Sequence, residues 1–328
     1  MAASRKALFA PPVLFLALAS AWSGYWYLGS HLTGAAIANW MTRESEFGRR
    51  WICHDQKIGG FPFRFELSCS AVSIEDQRVT VKAGALRAVA LAYKPNHVIA
   101  ELDGPADATL ASGQRFNATW SQLRTSTVIS GGRLQSYDSV LEGFRAAQIG
   151  ATGDAALARA DSLETHLRPT PNAPEGQPSF DVAVDGKGVA SPLIDELLRT
   201  NDPGDLTLRA TMTRADAIGA GHPIDNLERW RLAGGNVSIA QLKISRGRIN
   251  VDAVANLAID DNRMIAGRVE GTAAGLEQLL APGGAMLGGL LNLRPASGPS
   301  KGLPFALTLR DGKVLLGPLR LATLQPLY

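Results

Sequence analysis

Few residues in this chain have the types and spacing that chemistry needs. His31, His54, His97, His166 and His222 lie far apart, with no HxxxH or HxH spacing, and with only two cysteines no zinc set can be assembled. There is no GxSxG nucleophile elbow, no P-loop and no GxGxxG after a strand. His54 and Asp55 could meet a serine such as Ser68 across a hairpin, but polar pairs on strand surfaces are far commoner than triads. Asp260-Asp261-Asn262 has the acidic density for a cation, yet reads better as a hairpin turn. The expectation is a protein that is not an enzyme, with no catalytic residues, no cofactor and no metal.

The covalent chemistry left is that of Cys53 and Cys69. Gly59-Gly60-Phe61-Pro62 reads as a turn, and Phe63 to Cys69 alternates with the period of a strand. A hairpin centred on Phe61 sets Cys53 opposite Cys69, within the separation a disulfide tolerates. Closing so short a loop stabilises by about 3 kcal/mol in the chain-entropy model. One strain is visible: this register puts Asp55 and Lys57 on the face of Leu67 and Phe65. Two buried free thiols are the other reading.

Which reading holds depends on the compartment. Ala7–Leu28 is an apolar run without a charge, preceded by Arg5 and Lys6 and reaching about 30 Å as a helix, enough to cross a bilayer core. Trp22, Tyr25, Trp26 and Tyr27 gather at its far end like an interfacial aromatic belt. A leader cleaved near Ala17-Leu18-Ala19 competes with a retained anchor, but both export the body, where a disulfide is favoured. The expected address is the bacterial inner membrane: a single pass with its N-terminus cytoplasmic and its body periplasmic. The formal net charge is only +3, and no basic stripe is interleaved with aromatics. Nucleic acid is therefore not an expected partner; the inner membrane, lipids and other envelope proteins are.

The elements that would position these residues are mostly strands. After the cytoplasmic tip and anchor (1–34), Ile37, Trp40, Met41, Phe47 and Trp51 recur at helical spacing, which predicts an amphipathic juxtamembrane helix over 35–51 packed on the sheet. From Ile52 on, short alternating runs punctuated by Gly, Asn and Asp predict antiparallel meanders. The proline-rich segment 169–178 divides them into a first half, 52–168, and a second, 179–328. Asp311-Gly312 is a strong two-residue hairpin turn. Helices are expected from Ser191-Pro192 to Leu198, from Pro223 to Trp230 and from Ala274 to Leu280. The pairs Asp103-Gly104, Asp185-Gly186 and Glu270-Gly271 are each expected to end a strand, with coincidence and a duplicated module equally open. The fold class is mainly β: an N-terminal transmembrane helix, then an extended, curved antiparallel sheet or groove with a few short helices. The apolar, glycine-rich stretch carrying Leu279, Leu280, Met286, Leu287, Leu290 and Leu291 reads equally as a lipid-contacting lip or a core-covering loop.

Gly60-Phe61-Pro62-Phe63-Arg64-Phe65, just past the apolar run and flanked by Cys53 and Cys69, resembles domain-of-unknown-function family 2125 of bacteria. Gly312 to Leu321 is similar to that family's closing strands. The resemblance implies a single-pass envelope protein and carries over no catalytic residue. More loosely, the texture from Gly235 to Leu280 is similar to AsmA-like envelope proteins, which implies a long β groove that handles lipids. Within the motif, Phe63, Phe65 and Leu67 share one face of a strand, while Arg64 and Glu66 share the other and can pair.

Overall fold

The computed structural model describes residues 5–174, 176–192, 195–196, 200–219, 222–275 and 302–328. One helix, α1 (Arg5–Glu46), takes in both the apolar run and the segment expected to be a separate juxtamembrane helix. Trp51 belongs instead to the first strand. Among the described residues no helix is long and apolar enough to cross a membrane. The side chains of Ala7 and Leu8, where the apolar run begins, lie outside that description.

Among the described residues, the chain after α1 is organised by a single twenty-stranded antiparallel sheet. Its early passes are each bent in the middle. β1 (Arg50–His54) and β2 (Lys57–Gly59) are halves of one, and β3 (Arg64–Cys69) and β4 (Ala71–Glu75) of the next. The pattern repeats in β5 (Val79–Ala83) with β6 (Leu86–Leu91), β7 (Lys94–Leu102) with β8 (Ala106–Leu110), and β9 (Arg115–Thr119) with β10 (Gln122–Ser130). The later passes are whole: β11 (Arg133–Ile149), β12 (Ala155–Pro169), β13 (Phe180–Val189), β14 (Gly204–Met212), β15 (Asn236–Arg246) and β16 (Ile249–Ile259). β17 (Ile265–Ala274), β18 (Leu303–Arg310), β19 (Lys313–Leu316) and β20 (Leu319–Thr323) complete the sheet.

The breaks fall side by side. Ser70 N–H donates to His54 O, Asp103 N–H to Ala85 O, and Ser121 N–H to Glu142 O, each at 2.9 Å. The line of breaks therefore runs through Asp55, Ser70, Gly84, Asp103 and Ser121, and ends at Gly143, where β11 passes from pairing with β10 to pairing with β9. A line of such irregularities bends a sheet along a crease. A sheet this wide must curl in any case, because strand twist accumulates.

The proline-rich segment is a connection inside this one sheet. Pro169 pairs with Phe180 at the ends of β12 and β13, so the two halves are continuous. At Asp311-Gly312 both residues have positive φ, 50° and 69°, as the tight turn between β18 and β19 demands. Helix α2 (Pro223–Leu232) opens with proline in its first turn and joins β14 to β15. Of the helix expected from Ser191, Pro192, Asp195 and Glu196 are helical; its other helix positions, and those expected from 276 to 280, lie outside the described residues. The acidic-glycine pairs do not end strands alike: Asp103-Gly104 lies in the crease, while Asp185-Gly186 and Glu270-Gly271 sit inside β13 and β17. They form no repeated module.

Alternation gives the sheet two unlike faces. From Phe65 one row runs through Ala90, Val98, Thr127, Tyr137 and Leu167. It continues through Val182, Ala210, Ile239, Ala255, Val269 and Leu307. The opposite face carries ion pairs, among them Glu66 with Arg64 and Arg87, Glu101 with Arg124, Asp185 with Arg209, and Lys243 with Asp252. Among the described residues little is packed on the apolar face. Among the described residues no large side chain is fully buried, and the most enclosed large apolar ones, Trp230, Ile249 and Phe65, are 5–7% exposed.

Candidate functional site

Because the passes alternate in direction, the turns at 60–63, 91–94, 130–133, 170–179, 213–235, 260–264 and 310–313 share one end of the sheet, the hairpin end. Helix α1 is tied to this end. Trp22 Nε1 donates to Pro62 O at 2.8 Å, Trp26 Nε1 to Arg64 O at 2.7 Å, and the Tyr25 hydroxyl to Ala92 O at 2.6 Å. From there α1 follows the first edge to the far end, where Trp40 and Trp51 rings meet at 5.0 Å. The aromatic cluster thus has partners within the protein.

At the hairpin end the apolar face opens into a cleft of about 840 Å³. Leu134, Leu167, Phe180 and Met212 line it from the sheet, Pro178 from the proline-rich connection and Ile218 from the segment before α2. The volume lies in the range of small-molecule sites, which are mostly apolar with a few polar groups at the rim. Here the rim holds Arg133 and Asp216. A hydrogen bond from Arg214 outweighs burial and keeps the Asp216 carboxyl below its usual range. Such a site can hold an apolar chain and leave a polar group in water; it has no reacting pair of groups.

The motif residues divide by environment. Phe65 is buried under α1, whereas Phe61 and Phe63 stand 56% and 65% exposed at the hairpin tip. Phe63 therefore lies in the turn and does not extend the strand face of Phe65 and Leu67. Gly60 has φ 96° in the same turn. Cys53 and Cys69 form a disulfide with Cα atoms 5.2 Å apart, but not in the expected register. Lys57 pairs with Ser68 and Ile58 with Leu67, which sets Cys53 beside Val72 of β4. The shift arises at the hairpin, whose turn takes in Phe63, so that Ile58 already faces Leu67; the same register carries on past Asp55, where a φ of 48° interrupts the strand. The lip residues Leu279, Leu280, Met286, Leu287, Leu290 and Leu291 lie outside the described residues.

The candidates for chemistry do not converge. Asp55 accepts from the Ser70 hydroxyl at 2.7 Å, while Ser68 sits between Lys57 and Arg87 in the ladder. Asp260 Oδ1 accepts the backbone N–H groups of Asn262 and Met264 at 2.8 and 2.9 Å, an internal turn. His166 Nδ1 lies 2.7 Å from Asp138 on the polar face, and Arg168 also donates to Asp138. Burial raises the Asp138 pKa, but the hydrogen bonds from His166 and Arg168 outweigh it and hold the carboxyl low. Among the described residues no three His, Cys, Asp or Glu side chains gather to hold a metal ion. The cleft residues escaped sequence reading because they come from strands far apart in the chain. Their alternation marks a buried face, and nothing local marks the gap above it.

One strong electrostatic contact closes the hairpin end. Arg231 donates to Glu228 at 2.9 Å, the Tyr328 hydroxyl donates to it as well, and Arg263 stands over the Tyr328 ring at 5.3 Å. These donors, Arg231 foremost, hold Glu228 at about 2. A depressed carboxyl contributes stability that is present above its unfolded pKa, about 4.3, and lost as pH falls through the folded value. Glu228→Gln is expected to unfold at lower temperature than wild type at neutral pH, with the gap closing between about pH 4.5 and 2. Thermal midpoints across that range check this; a gap that stays constant contradicts it.

No curated protein and no solved structure matches the chain. A family described as uncharacterized protein conserved in bacteria (DUF2125) matches residues 26–325. The match starts at Trp26, inside α1, and so takes in the docked half of that helix, the disulfide hairpin and every strand. The chain belongs to the bacterial family DUF2125.

Proposed function

We propose that this protein is a membrane-anchored periplasmic β scaffold whose apolar sheet face binds or passes lipid-like molecules in maintenance of the cell envelope. The 840 Å³ cleft, continuous with an apolar face that no second layer fills among the described residues, is the observation that carries the reading. The full run Ala7–Leu28 supports the anchor. From Phe9 to Leu18 its large apolar side chains are 61–70% exposed, a condition that a helix apolar on all sides relieves in hydrocarbon. The disulfide fits an oxidising compartment. The function is one of binding and not of catalysis, with lipid as the ligand class and no cofactor.

Irradiating full-length protein in vesicles that contain a phospholipid with a diazirine in its acyl chain tests this. Cross-links are expected on the cleft peptides around Leu134, Leu167, Phe180 and Met212. Cross-links confined to residues 5–21 would remove lipid from the cleft.

A second reading, an assembly protein that adds a partner's strand to its sheet, has one observation in its favour. Every residue of β20 is exposed, Leu319 and Leu321 included, so the last edge is open.

A further inference from the structure

Large apolar side chains scattered singly over a surface need no explanation. Here they collect at one end, on turns, where polar residues are the rule. At the hairpin end Phe61, Phe63, Tyr93 and Leu232 are 56–70% exposed, and Ile129, Ile218 and Leu327 are 43–46% exposed. They come from four separate connections and the C-terminal segment (61 and 63; 93; 129; 218 and 232; 327), Ile129, the penultimate residue of β10, being counted with its turn. At the far end, among the described residues, Trp40, Phe47, Leu157, Leu319 and Leu321 are 38–49% exposed, and none reaches the values of Phe61, Phe63, Tyr93 and Leu232.

The same end is where α1 leaves the body. The hydrogen bond from Trp22 to Pro62 fixes the exit, and Phe9 lies thirteen residues earlier, about 20 Å farther along the helix axis. Of the exposed apolar residues of α1, those from Phe9 to Leu18 therefore project past the hairpin tips, while Tyr27, Leu28 and Leu32 lie in the half beside the sheet. A bilayer that receives this helix must have its surface near Trp22–Trp26, level with Phe61, Phe63 and Tyr93. Aromatic side chains with one apolar and one polar side suit that level.

We propose that the hairpin end of the sheet rests on the lipid bilayer surface, so that the cleft opens directly onto the membrane. An apolar chain then enters from the bilayer past Ile218 and Leu134 without crossing water. The inference rests on the membrane-anchored reading above and adds an orientation to it. The occupant of the rim is lipid, since the helix that emerges there is itself apolar on every side and shares the rim's chemistry.

Full-length protein with its disulfide intact tests the orientation in nanodiscs of phosphatidylethanolamine and phosphatidylglycerol. Single variants Leu232→Cys, Ile218→Cys, Leu157→Cys and Phe15→Cys are labelled with an environment-sensitive nitrobenzoxadiazole dye, and nitroxide-bearing phospholipids are added. The expected result is blue-shifted emission and several-fold stronger quenching at positions 232 and 218 than at 157, with position 15 quenched most. Quenching at 15 with water-like emission at 232 and 218 overturns the orientation and leaves the anchor standing. Equal quenching at 157 and 232 also overturns it, because the body then lies flat. Unquenched dye at position 15 overturns the anchor and the orientation together.

Discussion

Replacing Phe65 with alanine is expected to cost about 3–5 kcal/mol and to free α1 from the sheet. The ring is 7% exposed and lies between elements: Trp26 stacks on it at 6.1 Å and Tyr25 tilts against it at 6.5 Å. Helix α1 comes this close only because residue 29 is glycine; a Cβ there would stand 2.5 Å from Phe65 Cζ. Removing the ring leaves a cavity bounded by a rigid helix and a strand, which collapses poorly. The hydrogen bonds from Trp22, Tyr25 and Trp26 survive the substitution, but each contributes only about 1 kcal/mol net. They hold the helix well only while the ring fills the space between them. Denaturant unfolding followed by tryptophan fluorescence gives the loss, and hydrogen exchange over residues 26–46 gives the release. Phe63→Ala is the control: two residues away and 65% exposed, it should move stability by under about 0.5 kcal/mol. Equal effects at the two positions would refute the account of the hairpin as a seat for α1.

That contrast also marks how far the sequence could be read. Period-two alternation correctly makes Phe65 and Leu67 face-sharing strand residues, and Asp311-Gly312 and Pro223 announce a turn and a helix by local chemistry that no tertiary contact overrides. Phe63 has the same alternation and is misread, because the turn extends one residue farther than its glycines suggest. The crease is harder still. Ser70 and Trp120-Ser121 carry no breaker, and each break is held by a bond to a neighbouring pass, His54 for Ser70 and Glu142 for Ser121. Trp22, Tyr25 and Trp26 carry a different ambiguity: an indole or phenol that satisfies a lipid headgroup also satisfies a backbone carbonyl, so composition alone cannot separate an interfacial belt from a docking surface. The cleft is the least readable feature. Its lining alternates like any buried strand face, and what stays open above Leu167 and Phe180 depends on how the 170–179 and 213–235 connections cross the sheet.

Breaking the disulfide is expected to cost about 3 kcal/mol, from the loop of separation 16 that it closes. The loss should be local. Cys53 belongs to β1, whose ladder partner is β4, while Cys69 ends β3, whose partners are β2 and β6. The bond therefore links strands that do not pair, across the crease at Asp55 and Ser70. Without it the bend keeps only the bond from Ser70 N–H to His54 O and that from the Ser70 hydroxyl to Asp55. β1 is also an edge strand of five residues, held from outside by α1. Reduced wild type and the double variant Cys53→Ala/Cys69→Ala should both show faster hydrogen exchange in β1 and β4. Exchange in β12 to β17 should be unchanged. The double alanine variant matters because Cys69 is 3% exposed, and a reduced thiol there adds a desolvated polar group of its own. If exchange rises evenly over the sheet, the bond stabilises the whole fold and not the crease. If stability falls by well under about 1 kcal/mol, the loop-closure account fails, and the bend must be held by α1 packing on β1. A greater loss in the double variant when combined with Phe65→Ala than the two give separately would then identify that packing as the shared support.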